Sequence, residues 1–229
     1  MPNQTWPSIH AKKMRLTKLD DCGAPVIGTK STLVTSGIVK ISLSAEYEDG
    51  EETTKKNGDG KICVQNKDPD QLKYLSPEIE FCGVDPEAYS MITGMPLVLD
   101  AATTPNPVGV KFGSYDVDAN FALEVWTDIP GAGCGAGAKP YGYWALPFIG
   151  SGRLGDIDLE VGAASFTLSA QTKGGTGWGV GPYDDIQMTG GVTPAPGPLL
   201  EALTDKDHLV FFQTTCPPPV DTAGAIALA

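Results

Sequence analysis

The residues that could do chemistry are few, and most are spaced wrongly for it. Gly131-Ala-Gly-Cys-Gly-Ala136 has the letters of a dinucleotide-binding turn. Such a turn must open a helix whose N-terminus meets the pyrophosphate, and Pro140 and Gly142 forbid one here. Read as a phosphate loop, Gly133–Pro140 has Ala138 in place of the second glycine and Pro140 in place of the magnesium-binding hydroxyl. Asp116, Asp118, Asn120 and Glu124 imitate a calcium-loop ligand run, but Phe121 replaces the turn glycine and Thr127 the bidentate glutamate. His10 and His208 are the only imidazoles, and no G-x-S-x-G surrounds a serine; Ser151 lies in a Gly-Ser-Gly turn. Paired acids for glycoside hydrolysis could be drawn from Asp116–Asp128. Nothing in their spacing raises one above another, since same-face strand residues repeat about every 7 Å. The five cysteines lack zinc spacing, the nearest pair being Cys63 and Cys82. No catalytic, cofactor-binding or metal residues emerge, and the chain reads as a non-enzyme.

The elements that carry these residues are mainly strands. Gly and Pro total 28 and 19 of 229 residues, which favours turns over long helices. Gly37–Tyr47 alternates, with Val39, Ile41, Leu43, Ala45 and Tyr47 on one side and Lys40, Ser42, Ser44 and Glu46 on the other: a half-buried strand. It runs into the charged stretch Glu46–Lys61, expected to be a long mobile loop, and returns as a strand at Ile62–Gln65. Ser76–Cys82 reads as another strand. Tyr115–Ile129 is the strongest strand signal, with a greasy face and a face bearing Asp116, Asp118, Glu124 and Asp128; Trp126 is the exception on that acidic face. Trp144–Ile149, Ile157–Ala170, with a change of phase near Gly162, and Leu209–Thr214 complete the strands. Asp85–Gly94 is the one helix: Asp85 caps it, Pro86 fits its first turn and Gly94 stops it.

These elements predict a mostly β, two-sheet sandwich or barrel with one short packed helix. Residues 1–30 form an N-terminal arm, 31–215 the sandwich, and 216–229 a C-terminal arm. Net charge is −12, which argues against binding a phosphate backbone, because that affinity comes from lysine and arginine. No signal-peptide h-region and no 18-residue apolar run is visible, so the reading is a cytoplasmically made protein off the membrane with reduced, mostly buried thiols.

Met14–Pro25 (MRLTKLDDCGAP), Glu51–Val64 (EETTKKNGDGKICV), Leu72–Cys82 (LKYLSPEIEFC) and Val84–Pro96 (VDPEAYSMITGMP) resemble the major tail proteins of long-tailed phages of actinobacteria. The resemblance covers about the first hundred residues. It implies a virion structural protein whose copies close into rings, typically hexameric, that stack into a tail tube for DNA. It implies tape measure, tail terminator and distal tail proteins as partners, and arms that bridge protomers. By the same resemblance, Glu46, Tyr47, Glu48, Asp49, Glu51, Glu52, Lys55, Lys56, Asn57, Asp59 and Lys61 reach the neighbouring ring. The charge pattern suggests a lumen lined by one acidic strand face, either Asp116, Asp118, Glu124 and Asp128 or Asp156, Asp158 and Glu160, past which DNA slides without binding. Two other readings compete: a head–tail connector or capsid-decorating protein, and a carbohydrate-binding sandwich using Trp126, Trp144 and Trp178 as stacking platforms.

Overall fold

The computed structural model describes residues 5–7, 9–116, 118–131, 140–158, 165–175, 177–190 and 193–228. Three strands come first: β1 (Ile9–Leu19), β2 (Gly28–Thr35) and β3 (Ile38–Glu48). A hairpin of β4 (Glu52–Lys56) and β5 (Ile62–Lys67) follows, then β6 (Gln71–Phe81), helix α1 (Pro86–Thr93), and the short β7 (Leu97–Leu99) and β8 (Pro107–Val110). The second half contains β9 (Asn120–Asp128), β10 (Tyr141–Asp158), β11 (Ser165–Thr172), β12 (Gln187–Met188), β13 (Pro196–Gly197), β14 (Val210–Thr214) and β15 (Ile226–Leu228).

Nine of these strands share one sheet, in the order β15-β2-β1-β9-β10-β11-β6-β3, with β14 beside β10. All its pairings are antiparallel. The sheet folds over on the 18-residue β10. The first half of β10 lies between β9 and β14, and its second half pairs with β11. Register shifts fall between Leu146 and Ile149 and between Gly150 and Arg153, and Ser151 has φ 56°. Bulges of this kind bend a strand and increase its twist. The result is a sandwich-like arrangement with one helix, as the alternation predicts.

The main core lies between the two leaves. Leu16, Leu33 and Leu123 from one leaf meet Ile79, Phe81 and Leu168 from the other, and Ala88, Tyr89, Met91 and Ile92 of α1 join them. The helix starts and stops where expected. Asp85 Oδ1 accepts from the amides of Glu87 and Ala88 at 3.1 and 3.2 Å, and left-handed Gly94 donates to Ser90 O at 2.8 Å.

A second core sits on the opposite face of β9 and β10. Ala122, Trp126, Tyr143 and Ala145 are covered there by Trp178, Ile186 and Leu199 from the long C-terminal segment. β9 is therefore buried on both faces, as suits a central strand. This overturns the half-solvated reading of Tyr115–Ile129. The strand begins only at Asn120, its even-numbered face is a second core, and Trp126 is typical of that face.

Three further expectations are corrected. Residues 9–19 are not an arm: β1 lies between β2 and β9, with Met14 and Leu16 fully buried, because its greasy residues complete the core. The C-terminal residues 226–228 form an edge strand on β2 of their own protomer. Glu46–Lys61 is not a loop but part of a two-stage hairpin.

Candidate assembly interface

The hairpin is an arm built in two tiers. In the first, β3 and β6 pair from Ile38–Phe81 out to Glu48–Gln71, while β11 accompanies β6 only over Glu78–Phe81. The second tier, β4 with β5, is a separate two-stranded sheet in which every residue is exposed. Between them is a neck where the strands come too close for any side chain at Gly50, whose Cβ would lie 1.8 Å from the Asp68 carbonyl oxygen. Gly50 N donates to Asp70 Oδ1 at 3.0 Å, Asp68 N donates to Glu51 O at 3.1 Å, and Lys67 pairs with Asp70 at 3.2 Å. The Gly50 amide and then Lys67 hold the Asp70 carboxyl below its ordinary pKa. At the tip, Asn57 Oδ1 accepts from the amides of Asp59 and Lys61 at 3.1 and 2.9 Å, closing the turn that composition alone suggested was a mobile loop.

The arm has no core of its own. Ile62 and Val64, two residues apart and so on one face, are 54% and 47% exposed. The cross-strand neighbours Tyr47 and Leu72 are exposed as well. Charge is polarised along it. The base carries seven carboxylates: Glu46, Glu48, Asp49, Glu51, Glu52, Asp68 and Asp70. The tip sets Lys55, Lys56 and Lys61 against Asp59 alone, while Lys67 lies at the neck opposite Glu52.

The acidic faces expected from the sequence are not continuous. Glu124 is 1% exposed and Arg15, directly across on β1, is 3% exposed; Glu124 therefore cannot line a lumen. Arg15 Nε and Nη2 donate to the two Glu124 oxygens at 2.7 and 2.8 Å, and Nη1 donates to Asp185 at 3.0 Å. Tyr143 Oη donates to Glu124 Oε1 at 2.6 Å, and the guanidinium carbon lies 3.4 Å from the Tyr183 ring centroid. Burial works against the Arg15 charge, but Glu124 and Asp185 outweigh it and hold the guanidinium above its ordinary pKa. Burial, reinforced by Glu124, pushes the Tyr143 hydroxyl well up, and burial raises Tyr183 too.

Asp118 pairs with Lys173 at 3.1 Å, and Asp128 pairs with Lys12 at 2.8 Å. Asp116 is exposed before the start of β9, whose own length of roughly 27 Å separates Asn120 from Asp128. Asp156 is exposed on β10; the side chain of Asp158 and all of Glu160 lie outside the described residues. Period two groups these carboxylates along the sequence, but the strands bend, bulge and bury the even face of β9.

Among the other sequence candidates, His208 Nδ1 is hydrogen bonded to Thr172 Oγ1 at 2.7 Å, and exposed His10 takes φ 52°. Among the described residues, no group of three or more His, Cys, Asp or Glu side chains could hold a metal ion. Cys22, Cys63 and Cys82 are exposed free thiols and only Cys216 is buried, contrary to the expectation of mostly buried thiols; Cys134 lies outside the described residues, as do most of the Gly131–Pro140 motif residues. Trp126 and Trp178 are buried in the second core and cannot stack on a sugar. Trp144 instead stacks on Phe211, centroids 4.7 Å apart and planes at 17°, with Trp6 at 6.0 Å. Trp6 was invisible to pattern reading because it stands in a stretch without periodicity.

No protein-family model matches this chain, and no curated protein does.

Proposed function

We propose that the chain is the tube-forming subunit of a long-tailed phage, acting by self-assembly. The observation that carries this reading is the arm. A two-stranded hairpin is marginal in water by itself, and three or more strands or a packed face are needed for stability. Here Ile62, Val64, Tyr47 and Leu72 are held out on the arm and stay exposed among the described residues. A second molecule completes that surface, and a copy in the next ring is the one the resemblance supplies. The outer edge of β3 points the same way. It is an eleven-residue terminal strand with no partner on its outer side among the described residues, and such an edge templates pairing with another chain unless charges or bulges blunt it.

The acidic balance suits a conduit. A wall with net negative charge gains no counterion-release affinity for DNA, so the polymer slides without sticking. With Glu124 internal, exposed Asp116, Asp118 and Asp156 remain for that role among the described residues. Lateral contacts between copies are apolar and backbone-mediated, because like charges crowded within a Debye length of about 8 Å repel.

The test is electron microscopy of the purified chain beside a form in which residues 51–67 are replaced by a short Asn-Gly turn. The full chain forms stacked-ring tubes, and the shortened chain folds with the same thermal midpoint for its core but does not polymerise. Tubes of normal length from the shortened chain would remove the arm from assembly. A full chain that stays monomeric at high concentration would remove the reading altogether.

A further inference from the structure

The two ends of the main sheet are treated differently. β3 lies against β1 but has no further strand paired to its outer side among the described residues, whereas the β2 edge is covered by residues 221–228. Thr222 N donates to Val34 O at 3.0 Å, and Val34 N donates to Thr222 Oγ1 at 3.0 Å. Asp221 pairs with Lys13 at 2.7 Å and accepts from Ser36 Oγ at 3.0 Å. Glu87 Oε2 accepts from Ala225 N at 2.5 Å while Glu87 Oε1 pairs with Lys30 at 2.8 Å. Ile226 and Leu228 then pair with Thr32 and Gly28, with a register shift between them.

This cover is built to fit but weakly anchored. Gly224 makes the fit possible: its φ is +84°, and a Cβ there would lie 2.3 Å from Glu87 Oε2. Of the terminal strand only Leu228 is buried. The tether is Pro217-Pro218-Pro219, and Val220 beyond it is 85% exposed. A three-residue strand on a short semi-rigid leash is held beside the β2 edge and competes there as an intramolecular ligand.

We propose that residues 221–228 are a removable cap over the β2 edge, and that the strand they hold off is β3 of a second copy. This rests on the self-assembly reading and adds its control point. Ring closure by a head-to-tail contact needs one edge of each copy to meet a different edge of the next. β2 and β3 are the long terminal strands of the sheet, eight and eleven residues, and only β2 is blocked. The charges match. Displacing the cap takes Asp221 from Lys13 and leaves Lys13 beside the β2 edge, with Lys30 still paired to Glu87, while β3 brings Glu46 and Glu48.

Sedimentation velocity over a concentration series tests this with the full chain, a chain ending at Val220, and the full chain carrying Gly224→Ala. The shortened chain and Gly224→Ala associate at concentrations about tenfold or more below the full chain, the scale set by losing a tethered competitor. The synthetic peptide 221–229 reverses association of the shortened chain, and Val39→Lys with Ser44→Lys on its β3 strand, both exposed, returns it to monomer with its far-ultraviolet circular dichroism unchanged. If shortening leaves the onset where it was, the cap controls nothing. If shortening abolishes association, the tail is a bridge between copies and the proposal is overturned. Association that survives both β3 lysines, with the fold intact, rules out β3 as the occupant. Tubes formed equally well by the full and shortened chains leave the tube reading standing and end this one. Assemblies of the shortened chain that are not tubes do the reverse.

Discussion

Replacing Arg15 by methionine leaves the Glu124 carboxylate buried with the Tyr143 hydroxyl as its remaining contact on that side. Both groups of the pair are nearly inaccessible, so solvent screening does little to soften the loss. Removing one partner of a buried pair costs about 3–5 kcal/mol, because an uncompensated charge stays behind. The contact with the Tyr183 ring is lost too, and Asp185 has no guanidinium to hold the C-terminal segment against β1. For a domain of this size, each kcal/mol moves the thermal midpoint by about 2–4 °C, so the variant melts roughly 6–20 °C lower. Urea unfolding followed by tryptophan fluorescence reads the change directly, since Trp126 and Trp178 line the same core. The double variant Arg15→Met, Glu124→Leu is the control. Replacing both charges by apolar groups of similar volume is often neutral or stabilising, so the double variant recovers most of the loss. A single variant that loses under about 1 kcal/mol, the scale of an exposed pair, would refute the reasoning. So would a double variant less stable than the single one.

Gly50→Ala unzips the neck, because its Cβ meets the Asp68 carbonyl and not a mobile side chain; hydrogen exchange speeds up across 51–67 while amides of β1 and β9 keep their protection. Asp85→Ala removes the acceptor for two helix amides and costs about 1 kcal/mol, measured by denaturant midpoint, with Asp85→Ser restoring most of it. Alkaline stability is set by buried tyrosines. Burial pushes Tyr89 up to about 12 and raises Tyr183, and burial with Glu124 raises Tyr143, so all three stay neutral in the folded chain where the unfolded chain ionises. Their contribution is complete below about pH 10 and is lost as pH climbs from there through the folded values. Absorbance at 295 nm shows three of the seven tyrosines ionising only with unfolding; all seven ionising in the intact fold near pH 10 would contradict it.

Local chemistry was legible wherever a few neighbouring residues settle the matter. Asp85, Pro86 and Gly94 delimit the helix through caps and a left-handed stop, and alternation over Gly37–Tyr47 and Ser76–Cys82 marks strands β3 and β6. A charged stretch after a strand reads as a loop because lysine and glutamate are poor strand formers; Asn57 and the close backbone approach at Gly50 turn it into a hairpin instead.

The sequence alone determined the strand period, the single helix and the acidic balance, because these depend on side-chain order and count. Tertiary structure decided which face of each strand meets water. β9 takes cores on both sides because β1 and β10 flank it and the segment from Trp178 to Leu199 folds over its even-numbered face. That placement turns Glu124 from a surface carboxylate into a buried partner of Arg15, 109 residues away in sequence. It also makes β1 a central strand. Period two says that two faces differ, and only the packing of distant segments says what covers each.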